Sequence, residues 1–132
     1  AGTPHIAGGI GLGIAIDYLN QIGLDAAESY ERELTAYAMQ SLAQVPNLKL
    51  IGESETKVSA VSFVMENAHP HDVGTILDQD GIAVRAGHHC AQPVMQFYGI
   101  PATTRASTAF YNTREDIDAL VSGLHKVNEV FA

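Results

Sequence analysis

An α+β fold, with helices packed on one side of a small and mostly antiparallel sheet, is what the chain predicts. Three observations point there. Segments with apolar residues at helical spacing open and close the sequence, and short runs of alternating or continuous apolar character lie between them. No internal repeat, low-complexity tract or Pro/Gly/Ser linker divides the 132 residues, so residues 1–132 read as a single domain. That length is enough to bury roughly two-thirds of the unfolded surface.

The first helix is expected over about Ile6 to Gln21, where Ile10, Leu12, Ile14, Ile16 and Leu19 make it too apolar to be exposed. Gly8, Gly9, Gly11 and Gly13 weaken it by about 1 kcal/mol each relative to Ala, which makes sense if something packs closely on its backbone. Gly23 supplies a stop. Asp25 with Glu28 resembles a capping box, opening a long helix to about Gln44 that buries Leu34, Tyr37, Ala38, Leu42 and Val45. Pro46 and Asn47 turn the chain into strands at Leu48 to Ile51 and Ala60 to Met65, the second with Val61, Phe63 and Met65 on one face. Asp72 to Gln79 reads as a helix ended by Gly81, Ile82 to Ala86 as a strand, and Gly87 to Pro93 as a loop. Thr103 to Phe110 is expected as a strand. Thr113 with Asp116 then caps a final helix reaching about Val130.

Composition removes several function classes. The formal net charge is −8, from 15 acidic and 7 basic residues, and Lys and Arg form no run, so neither nucleic acid nor an anionic membrane surface is an expected partner. The longest apolar stretch, Ile6 to Ile16, falls short of the roughly 20 residues a bilayer demands. No basic segment precedes it, as a signal peptide would require. A single cysteine excludes an internal disulfide and a Cys-rich zinc site, and it favours a cytoplasmic setting. The early glycines fail as a nucleotide cradle, because no strand precedes them and neither phosphate-loop spacing is present.

The unusual chemistry lies in Arg85-Ala86-Gly87-His88-His89-Cys90-Ala91-Gln92-Pro93. A lone cysteine is often a small core hydrophobe. Cys90, however, follows a strand end and has a guanidinium and two imidazoles within five residues, an electropositive setting that favours the thiolate. Adjacent side chains diverge, so His88, His89 and Cys90 are not expected to share one metal, and no metal site is expected. Arg105, among Thr103, Thr104 and Ser107, suggests a fork for a carboxylate or phosphate, with a structural ion pair as the plain alternative. His69-Pro70-His71-Asp72 has the form of a helix N-terminus. Ala1-Gly2-Thr3-Pro4 offers a hydroxyl and backbone N–H groups ahead of a helix, as an anion site would and as any capped helix does.

Taken together, the Arg85 to Pro93 loop, Arg105-Ala106-Ser107 followed by Tyr111-Asn112-Thr113, and the opening Ala1 to Pro4 resemble the C-terminal part of a pyridoxal-phosphate-dependent cysteine desulfurase of the SufS-like group (group II). The resemblance runs through essentially the whole chain, and the cysteine loop is its most specific part. It implies the small C-terminal domain of aminotransferase-like pyridoxal enzymes. It also implies conversion of L-cysteine to L-alanine, with the sulfur passed to an acceptor for iron–sulfur cluster assembly. Pyridoxal 5'-phosphate would serve as the electron sink, Cys90 as the nucleophile that becomes a persulfide, and Arg105 as the clamp on the substrate carboxylate. Thr3 would reach the cofactor phosphate of the neighbouring subunit in a homodimer. His71 matches a histidine that can ligate the zinc of a small zinc-containing, SufU-like acceptor; a zinc-free SufE-like acceptor is the other class.

The family's cofactor-bearing lysine has no match among Lys49, Lys57 and Lys126. The chain is therefore expected to be part of a longer enzyme, and alone to be inactive and without tightly held cofactor. Two other readings compete: a stand-alone sulfur-carrier or interaction domain using Cys90, and a structural dimerisation domain with Cys90 buried and inert.

Overall fold

A computed structural model describes residues 2–54 and 56–132. Its elements, in chain order, are α1 (Ile6–Ile22), α2 (Leu24–Leu42), β1 (Leu48–Ile51), β2 (Ala60–Met65), α3 (Pro70–Gln79), β3 (Arg85–Gly87), α4 (Gln92–Tyr98), β4 (Thr103–Ser107) and α5 (Arg114–Val130). The strands form one sheet in the order β1-β2-β4-β3, every pairing antiparallel. The α+β expectation is met.

Alternation along β2 builds the core. Val61, Phe63 and Met65 are buried on one face. Against them pack Leu34, Ala38 and Leu42 of α2, Val73 and Leu77 of α3, and Ile117, Leu120, Leu124 and Val127 of α5. Phe63, Leu42, Leu77 and Leu124 are fully enclosed, each stabilising the fold by about 1.5–3 kcal/mol through surface removed from water. Three helices thus cover one face of the sheet. The short α4 lines a pocket together with Thr103 and Arg105.

Local chemistry moves several boundaries. The strand expected from Ile82 starts at Arg85, because the Ile82 N–H closes the end of α3 onto Leu77 O at 3.0 Å around left-handed Gly81 (φ 75°). Strand β4 ends at Ser107 rather than Phe110. There Asn112 folds the chain back, its Oδ1 accepting from Ala109 N–H at 3.0 Å and its own N–H donating to Ala109 O at 2.9 Å. The Asp25–Glu28 capping box is absent: Gly23 is the cap residue of α2, and Glu28 pairs with Arg32. The one at the start of α5 does form, Asp116 Oδ2 accepting from Thr113 N–H at 3.0 Å. Part of the loop expected through Pro93 is α4, which has proline in its first turn and stops at left-handed Gly99.

The largest departure is α1. It forms where the periodicity places it, yet none of its residues is buried, and Ile6, Ile10, Leu12 and Ile14 stay more than 60% exposed. Beyond the helix's own backbone, no described residue lies within 4 Å of where a Cβ would stand on Gly9, Gly11 or Gly13, so the expected close backbone packing is not made here. Gly23 (φ 93°) separates α1 from α2, and α1 contacts α2 and, through the Tyr18–Phe110 ring pair at 6.4 Å, the segment that follows β4.

Candidate active site

The face of the sheet turned away from the core carries the polar side chains. On β4, Thr104 and Ala106 face the core, which sets Thr103 and Arg105 on the opposite side. Register places Ser62 of β2 and Arg85 of β3 directly across from Arg105. Two guanidinium groups opposed across neighbouring strands repel each other. Among the described residues neither meets a carboxylate, the ion pairs being Arg32–Glu28, Arg114–Glu33 and Lys126–Asp80. Arg105 is half-buried, and its Nε is shielded from water with no hydrogen-bond partner. A buried donor left unpaired costs about 1–3 kcal/mol. A carboxylate offers that donor, and the rest of the fork, a bidentate acceptor.

Arg105 lines a pocket of about 290 Å³ together with Lys57, Ser62, His89, Thr103 and Tyr98, and Met95 of α4 adds apolar wall. A neighbouring pocket of about 510 Å³ is lined by Arg85, Gly87, His88, His89, Cys90 and Pro93. His89 borders both, so the cysteine loop and the Arg105 pocket share a wall. Thus Cys90 and Arg105, far apart in sequence, come to adjoining cavities because β3 and β4 are paired neighbours.

The loop itself is a tight left-handed turn. His89 and Cys90 have φ of 56° and 57°, a conformation that costs non-glycine residues about 1–3 kcal/mol each. Gly87 leads into it at φ 136°, a value only glycine adopts at ease, and Ala91 N–H donates to His88 O at 2.9 Å. His88 points to solvent, while the half-buried His89 ring turns inward with Nε2 at 3.2 Å from Thr103 O and 2.9 Å from Thr103 Oγ1. Facing a carbonyl, Nε2 carries the hydrogen and donates it. Nδ1 is then a lone-pair acceptor, shielded and without partner. Burial holds the His89 pKa below the usual 6.5, and the positive charges of Arg105, Arg85 and His88 act the same way, opposed in part by the bond to the Thr103 backbone.

Cys90 is exposed, which overturns the reading of an inert buried thiol. Thr3 is exposed ahead of α1 and hydrogen-bonds to no described residue; Ala1 of the same motif lies outside the described residues. His71 is exposed in the first turn of α3, its N–H donating to His69 Nδ1 at 3.2 Å and its carbonyl accepting from Thr75 Oγ1 at 3.0 Å. Neither Thr3 nor His71 lines the two pockets around Cys90 and Arg105. Among the described residues no cluster of three or more His, Cys, Asp or Glu side chains could hold a metal ion, and no helix is long and apolar enough to cross a membrane. Lys57 and Thr103 escaped the sequence reading as members of this site. The alternation that put Arg105 on the outer face was the available signal for Thr103; Lys57 gave none.

Comparison with known proteins gives this geometry a context. The family Aminotransferase class-V matches residues 1–120. A probable cysteine desulfurase of Streptomyces coelicolor is 55% identical over 133 residues, covering 99% of this chain and 32% of that protein. A probable cysteine desulfurase of Halalkalibacterium halodurans is also 55% identical, over 98% of this chain and 32% of its own length. The crystal structure of the cysteine desulfurase CsdA of Escherichia coli, in an S-sulfonic acid form, superposes with a TM-score of 0.92 at 39% identity, covering 100% of this chain and 33% of that one. The chain spans about a third of the length of the curated relatives it matches.

Proposed function

Because the chain belongs to the aminotransferase class-V family, we propose that it is the sulfur-accepting, C-terminal part of a SufS-like cysteine desulfurase that converts L-cysteine to L-alanine. The observation that carries this reading is a solvent-exposed Cys90 on a left-handed loop, bordering the pocket of a half-buried Arg105 without a carboxylate partner among the described residues. Cysteine desulfurases named at 55% identity support the choice within the family.

Arg105 binds the substrate carboxylate through its planar fork, which satisfies the shielded Nε and fixes the amino acid in one orientation. Cys90, as thiolate, attacks the substrate sulfur. A sulfur–sulfur bond forms as the substrate carbon–sulfur bond breaks, its electron pair leaves with the carbon, and protonation of that carbon gives alanine. When bound, pyridoxal 5'-phosphate supplies the electron sink for this cleavage.

The residues present fit one edge of that cofactor. The Thr3 hydroxyl, exposed and unbonded among the described residues, suits a phosphate oxygen of the neighbouring subunit's cofactor in a homodimer. No lysine here offers itself to an aldehyde: Lys57 Nζ donates to Gly52 O at 2.7 Å, Lys126 pairs with Asp80, and Lys49 is exposed on β1 and lines neither pocket. The 132 residues alone are therefore expected to be inactive. The persulfide then passes to a small acceptor protein, SufE-like or SufU-like, for iron–sulfur cluster assembly in the cytoplasm. The exposed His71 is the candidate contact for a zinc-containing acceptor.

The test is to give the enzyme containing this chain L-cysteine and weigh the Cys90 peptide. One added sulfur atom on Cys90, with alanine formed in step and both lost in Cys90→Ser, is expected. Alanine formation in Cys90→Ser at the parent rate would end the proposal.

A further inference from the structure

The Cys90 loop holds a conformation that its residues do not choose. Two consecutive non-glycine residues, His89 and Cys90, sit at left-handed φ. Backbone bonds hold the ends of the turn, Ala91 N–H donating to His88 O and Ala91 O accepting from Val94 and Met95 N–H, but among the described residues none is made by His89 or Cys90 themselves. The remaining anchor is a side chain. The His89 imidazole reaches across to the first residue of β4, bonding both the hydroxyl and the carbonyl of Thr103. Thr103 is 1% exposed and paired with Gly87 in the sheet, so the ring is fastened to a part of the molecule that does not yield. With its neighbour turned inward, Cys90 projects outward into solvent.

We propose that His89 is a positioning residue, whose clasp on Thr103 locks the loop in the left-handed turn that presents the Cys90 thiol. This deepens the desulfurase reading and rests on Cys90 being the working thiol. The His89 ring touches no reacting atom. Its effect passes through the backbone of the next residue. The contacts identify the atom that matters as Nε2, since Nδ1 has no partner. The clasp therefore needs a donor at the Nε2 position rather than an imidazole as such.

Amide exchange of the chain tests this without any need for turnover, so its failure and failure of the persulfide experiment are separate results. The probe is the Ala91 amide, with the Phe63 and Thr104 amides of the central strands as internal references. His89→Phe keeps the ring's volume and removes the donor; His89→Gln places an amide nitrogen near the former Nε2. The expected result is Ala91 exchange at least tenfold faster in His89→Phe, returned to within about threefold of the parent in His89→Gln, with Phe63 and Thr104 unchanged in both. Parent-like exchange in His89→Phe would show that ring volume, not the bond, holds the loop. Equal loosening in both variants, or acceleration that extends to Phe63 and Thr104, would likewise overturn the clasp.

Discussion

At the scale of single residues, charge and burial make the loop sensitive to acid. The fold favours neutral His89, because protonation would place a charge on the shielded Nδ1 of a half-buried ring that already feels the positive charges of Arg105, Arg85 and His88. Its pKa in the folded state lies below the ordinary 6.5. The stability this contributes is therefore fully present above 6.5 and is lost as pH falls through the folded value. Amide exchange at Ala91, corrected for its intrinsic pH dependence, is expected to rise as pH drops below 6.5; in His89→Gln that acid-side rise should vanish. Much of this site was readable in the sequence. A cysteine beside a guanidinium and two imidazoles, and an arginine in an alternating strand, are local patterns. The bond from His89 to Thr103 was not, since it joins residues brought together only when β3 and β4 pair.

Elements were legible where their own chemistry decided them. Helix α5, with its Thr113–Asp116 box, and β2, with strict alternation, fall where the pattern puts them. Strand β3 shifted because the turn ending α3 claims Ile82, and α4 was missed although Pro93 in a first turn is a helix-start signal. One contact between elements was equally out of reach of local pattern: α5 crosses α3 at Gly123, where an added Cβ would stand 2.5 Å from Leu77 Cδ2 and 3.0 Å from Ile82 Cδ1. Leu77 is fully enclosed and has nowhere to retreat. Gly123→Ala should gain helix propensity yet lose about 1–3 kcal/mol overall through overpacking, read as a lower urea midpoint with unchanged slope. A midpoint at or above the parent's would show that the helices can part at little cost.

For the whole molecule, hydropathy predicts a covered α1, whereas among the described residues nothing covers it and its large apolar side chains stand exposed. An apolar surface of that extent drives association. The chain is expected to self-associate at micromolar concentration, and Ile10→Ser with Ile14→Ser should shift sedimentation toward the monomer. The unfolding free energy from urea titration should stay within about 0.5 kcal/mol of the parent's, because neither side chain is buried. Unchanged sedimentation would place the sticky surface elsewhere. The sheet order has a consequence for how the molecule comes into being. Its central pairing sets Phe63 against Thr104, so the chain must close a long loop before the first inner ladder forms. Edge strand β3 has only β4 to join. The newborn polypeptide therefore carries Cys90 on a slack tether, and the setting around the thiol exists only once β3 and β4 have paired.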